Sequence, residues 1–111
     1  MSDPDLHVPD SSVPDRRAVG LFDSGVGGLT VLHECLVNLP QEDYLYLGDT
    51  GNFPYGSRSL AEVRRLAFRA VNFLVAHEVK LVVVACNSAG AAALPQLQAA
   101  FSTPIIGVVI P

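Results

Sequence analysis

The chain has 111 residues, half of them hydrophobic, with a mean hydropathy of +0.36 and a formal net charge of −4. That length predicts one domain with a modest core. The negative charge argues against nucleic acid or an anionic membrane surface as a partner, because both attract basic faces. No apolar stretch approaches the about 20 residues of a membrane span, and the N-terminus lacks the apolar segment of a signal peptide. With two cysteines in no disulfide or metal-binding pattern, a cytoplasmic protein is expected.

Residues 1–17 are polar and acidic with regularly spaced prolines, which predicts a disordered leader without a catalytic role. Strands and helices alternate after it. The predicted strands cover residues 18–22, 44–48, 80–85 and 104–110, and the predicted helices cover 28 to about 38, 59 onward, and about 90 to 101. This alternation predicts right-handed crossovers and an α/β fold with a parallel sheet. Because parallel sheets are covered on both faces, the domain of residues 18–111 is expected to be truncated after its fourth strand.

The second helix has the clearest pattern. Ser59 and Glu62 have the spacing of a capping box. An apolar stripe at helical spacing follows, made of Val63, Leu66, Ala67, Ala70, Val71 and Leu74, with Arg64, Arg65 and Arg69 facing outward. In the third helix, Pro95 is expected in the first turn or at a kink.

A glycine-rich segment, residues 22–28, follows the first predicted strand. Its glycines favour a tight turn with backbone amides aimed at an anion. It is not a dinucleotide-binding fingerprint, because Thr30 stands at the third glycine position. A phosphate or carboxylate site and a plain turn with Asp23 as helix N-cap both remain open.

The loop of residues 48–56 follows the second strand. The backbone amides near Tyr55 and Gly56, and the Tyr55 hydroxyl, are candidates for binding a carboxylate. Asp49 is a candidate for acid–base chemistry or for orienting another side chain. The alternative is a turn-forming Asp49 with Tyr55 packed over the core.

Cys86 follows the third strand and precedes an alanine-rich segment. Ligands of open α/β sheets bind outside the carboxyl ends of the strands, and a helix N-terminus favours the thiolate. The alternative is an inert buried thiol, which is what we expect for Cys35 inside the first helix. With Asn87 and Ser88 beside Cys86, polar residues follow three successive strands. Parallel strands bring such residues to one rim, the arrangement of a small-molecule site.

The segments FDSGVGGLTVL, YLGDTGNFPYGSRS, VKLVVVACNSAG and PIIGVVIP, in this order and spacing, resemble the N-terminal half of the glutamate racemases, within the aspartate/glutamate racemase superfamily. The resemblance covers residues 18 to 111. One departure is that the family usually has threonine at the position of Ser88 and Ala-Ser where this chain has Ala89 and Gly90. Because serine keeps the hydroxyl, its donor and acceptor role can persist.

The resemblance implies cofactor-independent interconversion of L- and D-glutamate by two cysteines on opposite faces of the α-carbon, without a metal. Cys86 would deprotonate the D-enantiomer, Asp23 would assist it and meet the substrate ammonium, and Asp49 would be an auxiliary acid or base. The implied substrate contacts are Asp23, Ser24, Tyr55, Gly56, Asn87 and Ser88. D-Glutamate would supply peptidoglycan synthesis, and the full-length enzyme is expected to be a homodimer. The second cysteine is expected in a further domain, so this chain alone should be inactive.

Three other functions stay open at this point. The first is racemization of aspartate or another amino acid by the same chemistry, and the second is a non-catalytic amino-acid-binding module. A cysteine hydrolase is the third, and it ranks last because no histidine stands near a predicted strand end.

Overall fold

A four-stranded parallel sheet organises the chain in a computed structural model that describes residues 14–110. Residues 1–13 of the predicted leader therefore lie outside the described residues, as does Pro111. The strands are β1 (Val19–Asp23), β2 (Tyr44–Gly48), β3 (Leu81–Val84) and β4 (Ile105–Gly107), in the order β2-β1-β3-β4. All pairs are parallel, so the predicted α/β class is confirmed.

Burial along the strands follows their position in the sheet. Every residue of β1 is buried and every residue of β2 is half-buried, as expected for a central and an edge strand. The fourth strand is shorter than predicted. The Val108 N–H still donates to the Val84 carbonyl at 3.1 Å, and beyond it the Asn87 side chain binds the backbone of Ile110.

Three helices cover the sheet: α1 (Leu29–Asn38), α2 (Leu60–Ala76) and α3 (Asn87–Ala100). Helices α2 and α3 pack on the face that carries Phe22, Val82 and Val84. The opposite face, with Leu21 and Val83, is covered by α1, which contributes only half-buried side chains. Alternation along the strands produces this division, because successive side chains point to opposite faces.

The start of α2 confirms half of the predicted capping box. The Glu62 N–H donates to Ser59 Oγ at 3.2 Å. The Glu62 carboxylate, however, pairs with Arg65 at 2.8 Å and with Arg58 at 3.5 Å instead of returning to the Ser59 backbone. The predicted apolar stripe is buried in full.

Helix α3 begins at Asn87, three residues before the predicted start, because Cys86 occupies the N-cap position. The prediction of Pro95 in the first turn is therefore wrong, since Pro95 lies well inside the helix at an exposed position. Small side chains at Ala89, Ala92 and Ala93 allow α3 to pack closely. Within residues 14–110, no helix combines the length and apolar character needed to cross a bilayer.

Candidate active site

The carboxyl ends of β1, β2 and β3 form one rim. The Asp49 N–H donates to the Asp23 carbonyl at 2.8 Å, and the Ala85 N–H donates to the Phe22 carbonyl at 2.8 Å. These bonds continue the ladders by one residue past β2 and β3. The structure thus brings together the three segments that the sequence placed at strand ends.

The rim contains the topological switch point of the sheet. Neighbouring strands β1 and β3 lead into α1 and α3, which lie on opposite faces. The two connections diverge here, and we call the region between them the switch-point crevice, because open α/β sheets bind ligands at this position. Asp23 stands on one side of this crevice and Cys86 on the other.

Asp23 is a buried carboxylate, 4% exposed, held by three donors. Its Oδ1 accepts from the Ser24 N–H at 2.8 Å, and its Oδ2 accepts from the Gly28 N–H at 2.6 Å and the Tyr46 hydroxyl at 3.2 Å. Gly28 itself is the N-cap of α1, so Asp23 closes the glycine-rich loop and is not the cap residue. Among residues 14–110, no basic side chain forms a salt bridge with it.

Two glycines of this rim stand where any side chain would collide with neighbouring atoms. A Cβ on Gly28 would lie 2.9 Å from the Asp23 Cβ, and a Cβ on Gly48 would lie 2.7 Å from the Gly25 carbonyl oxygen. No glycine between residues 14 and 110 has a positive φ. Close approach of the loop to β2 is therefore what requires glycine here, rather than left-handed backbone.

The half-buried Asp49 and the buried Tyr55 form a second hydrogen-bonded group. The Tyr55 hydroxyl donates to Asp49 Oδ2 at 2.5 Å, and the Asn52 amide donates to both Asp49 oxygens at 3.0 and 3.1 Å. Burial, followed by this hydrogen bond, raises the pKa of Tyr55 above its ordinary value. The ring packs on Phe22 at a centroid distance of 6.0 Å. The hydroxyl proton is engaged by Asp49, so a ligand would meet only the oxygen lone pairs of Tyr55.

Cys86 is 4% exposed and caps α3 with its sulfur. Its Sγ accepts from the Ala89 N–H at 3.4 Å, so the sulfur lies at the positive end of the helix dipole. The neighbouring loop reaches the same helix turn, because a Cβ on Gly56 would lie 3.5 Å from Ser88 Oγ. Cys86, Gly56 and Ser88 are thereby assembled at one end of α3.

The remaining predicted residues are placed differently. Asn87 binds the Ile110 backbone, donating one amide N–H at 2.7 Å and accepting at its Oδ1 at 2.8 Å, which leaves its second N–H for another acceptor. Ser24 is half-buried and contributes its N–H to Asp23. Cys35 lies on α1, half-buried against the sheet face opposite α2 and α3, in agreement with a structural role.

Sequence reasoning missed Asn52 and Tyr46. Asn52 sits in a short 3-10 helix, Thr50–Asn52, and Tyr46 is a strand residue whose hydroxyl contacts Asp23. The strand register could have indicated Tyr46. Its partner Leu21 lies two positions before Asp23, so Tyr46, Leu21 and Asp23 point to the same face of the sheet.

Neither a metal centre nor a nucleophile–histidine pair finds support in the described part of the chain. Residues 14–110 contain no cluster of three metal-ligating side chains. His77 ends α2 at the opposite rim, where its Nδ1 lies 2.7 Å from the Phe73 carbonyl. This position argues against a cysteine hydrolase built on Cys86 and His77.

Known proteins similar to this chain agree on one family, although no family model matches it. The glutamate racemase of Limosilactobacillus fermentum is 53% identical over 97 residues, which are 87% of this chain and 36% of the relative. The Thermus thermophilus racemase is 54% identical over 96 residues, 86% of this chain and 37% of the relative. The chain is similar to one region of the glutamate racemases. It spans about a third of the length of the curated relatives it matches.

Solved glutamate racemases share the fold. The Thermus thermophilus enzyme, in complex with β-chloro-D-alanine, superposes with a TM-score of 0.82 at 52% identity, covering 85% of this chain and 37% of that one. The Francisella tularensis enzyme, in complex with D-glutamate, gives 0.79 at 40% identity, covering 83% and 35%. The racemase region matched by this chain is thus the sheet with its three helices.

Proposed function

We propose that this chain forms one half of a glutamate racemase active site and that Cys86 is the base that deprotonates D-glutamate. The observation that carries the proposal is the switch-point crevice, with a cysteine sulfur at the N-terminus of α3 on one side and the buried Asp23 carboxylate on the other. No cofactor is invoked, because the chemistry is proton transfer to and from the α-carbon.

Asp23 is proposed to meet the substrate ammonium and to assist proton transfer at Cys86. Its three contacts all donate to it, and no basic side chain of the described residues neutralises its charge. A buried carboxylate with that environment suits a cationic group brought in by a ligand.

The loop donors are proposed to bind the substrate carboxylates. The Gly56 backbone and the Ser88 hydroxyl meet at the first turn of α3, with Ser24 across the crevice and Asn87 beside Cys86. Asp49 is proposed as an auxiliary group that acts through Tyr55, whose ring lies in the core beside Cys86.

Fixed donors of this kind matter because the α-proton of an amino acid is far less acidic than a thiol. The developing carbanion gains most from dipoles that are already oriented and from exclusion of water. Backbone amides and a hydroxyl at strand ends supply such dipoles without reorganisation.

We also propose what the full-length enzyme adds to this chain and where it acts. Two-sided proton transfer requires a second cysteine, and Cys35 does not supply it from α1. The full-length racemase is proposed to be cytoplasmic and homodimeric, to bring that cysteine from a further domain, and to provide D-glutamate for peptidoglycan.

The test is a segment exchange with the Thermus thermophilus racemase, which is 54% identical over the aligned region. The chimera carries the aligned residues of this chain in place of its own. We expect it to racemize D-glutamate, followed by circular dichroism, and we expect Cys86→Ser to lower the rate by roughly 100-fold or more, as for loss of a general base.

Cys35→Ser is the matched control, because it changes the other thiol of the chain outside the rim, and its activity should remain. D-Aspartate, assayed in parallel, separates glutamate from aspartate specificity. A folded chimera that binds D-glutamate without turning it over would contradict the proposal and favour a binding module.

A further inference from the structure

Tyr46 contacts both the Asp23 carboxylate and the glycine-rich loop that follows it at the rim. Its hydroxyl lies 3.2 Å from Asp23 Oδ2 and 3.3 Å from the Gly25 carbonyl oxygen. Gly48 makes this approach possible, since a Cβ there would lie 2.7 Å from the Gly25 oxygen and 3.1 Å from Tyr46 Cε1. One strand residue thus contacts both the carboxylate and the loop that follows it.

We propose that Tyr46 is a positioning residue that fixes the Asp23 carboxylate and the glycine-rich loop for proton transfer at the rim. Asp23 has two backbone donors, from Ser24 and Gly28, and both come from its own loop. Among residues 14–110, Tyr46 is the one side chain that donates to this carboxylate, and it comes from the neighbouring strand β2.

The hydroxyl keeps its proton over the whole working range of pH. Burial, followed by the negative charge of Asp23, raises the pKa of Tyr46 to about 12. A neutral phenol has one proton to donate, and its two neighbouring acceptors are Asp23 Oδ2 and the Gly25 carbonyl oxygen. At pH values well below about 12, Tyr46 therefore acts as a hydrogen-bond donor beside Asp23.

Tyr44 is a matched comparison within the same strand. It stands two residues earlier on the same face, and its hydroxyl donates to the carbonyls of Cys35 and Leu39 at 3.1 and 2.9 Å. Each hydroxyl contacts two acceptors, so removing either one loses a similar number of hydrogen bonds. Only the Tyr46 hydroxyl reaches the rim, so the two variants separate positioning from general stability.

The experiment uses the 111-residue chain and nuclear magnetic resonance. In Tyr46→Phe we expect the Gly28 and Ser24 amide protons to move upfield and to exchange with solvent about 10-fold faster, the effect of losing one hydrogen bond to a charged group. In Tyr44→Phe both amides should keep their shifts and protection. Unchanged Gly28 and Ser24 amides in a folded Tyr46→Phe would overturn the proposal.

A second measurement needs no variant. In the unmodified chain the Tyr46 hydroxyl proton should exchange slowly and show a nuclear Overhauser contact to the Asp23 β-protons, and absence of that contact would also overturn the proposal.

The catalytic consequence rests on the proposed racemase function. In the chimera, Tyr46→Phe should lower kcat with little change in KM, and Tyr44→Phe should change neither. An inactive chimera with native Tyr46 would contradict the racemase function alone, because the amide measurements on the chain stand apart from it. Equal kcat and KM in Tyr46→Phe and the parent chimera would remove the catalytic role of Tyr46.

Discussion

Cys86 combines two properties that are usually treated as alternatives. It is almost fully buried, as an inert core thiol would be, and it also caps α3 at the rim where ligands bind such sheets. Burial restricts water around the sulfur, and the cap fixes its direction. For a base that must act on a weakly acidic proton, a dry and oriented sulfur is an advantage.

The three tyrosines are expected to make the free energy of unfolding depend on pH. Burial is the first cause of a raised pKa at each, with Tyr46 at about 12 and Tyr44 and Tyr55 shifted in the same direction. An unfolded tyrosine titrates near pH 10. Because the folded state holds the phenolic proton more tightly, the resulting stability is complete below about pH 10 and is lost as pH rises through the folded pKa values.

We therefore expect the urea midpoint of the chain to fall between about pH 10 and about pH 12. Tyrosinate absorbance should rise mainly with unfolding, not before it. Tyr46→Phe should show a shallower fall, since one of the three tyrosines with a raised pKa is gone. A midpoint independent of pH over this interval would contradict the raised pKa values.

The three helices begin with different N-cap arrangements. Cys86 caps α3 with its sulfur, Ser59 caps α2 with its hydroxyl, and α1 has Gly28 at its cap with no side-chain bond. Asp23, at the end of the preceding strand β1, compensates at α1 by accepting the Gly28 N–H. Two of the three helix starts are therefore built from residues of the candidate site.

Ser59→Ala tests the cap that lies outside the site. Loss of the bond from the Glu62 N–H should lower the free energy of unfolding by about 1 kcal/mol, typical for an N-cap serine. Ser57→Ala is the control, because its exposed hydroxyl makes only a 3.5 Å contact with the Pro54 carbonyl. Equal urea midpoints for the two variants would show that Ser59 does not act as a cap.

Strand positions and the α2 stripe could be predicted because they depend on local periodicity. The start of α3 could not, since cysteine is not a usual N-cap residue and the alanine-rich sequence gives no boundary signal. The length of β4 depended on a contact between Asn87 and Ile110, 23 residues apart. Tyr46 was missed for a similar reason, because its partner Asp23 lies 23 residues away on another strand.

At the scale of the whole molecule, the two faces of the sheet are covered unequally. Helices α2 and α3 bury one face, and α1 alone lies on the other without a single buried residue. Beside α1 runs an apolar groove of about 470 Å³ lined by Thr30, Val31, Glu34, Val108, Val109 and Ile110. The candidate site lies at the rim between these two faces, where α1 and α3 begin on opposite sides of the sheet.

Because the 111-residue chain has one cysteine at the rim, we expect it not to racemize D-glutamate. Two-sided proton transfer needs a second acid on the other face of the α-carbon. A slow exchange of the D-glutamate α-proton with solvent deuterium, dependent on Cys86, should remain. A steady loss of the circular-dichroism signal of D-glutamate with the purified chain would contradict this expectation.

The most direct measurement is deuterium exchange at each enantiomer of glutamate, followed by proton nuclear magnetic resonance in the Thermus thermophilus chimera. If Cys86 is the base for D-glutamate, Cys86→Ala should abolish exchange at D-glutamate while L-glutamate still exchanges through the other cysteine. Cys35→Ala should leave both rates unchanged. Undiminished exchange at D-glutamate in Cys86→Ala would contradict the assignment of Cys86 as the base.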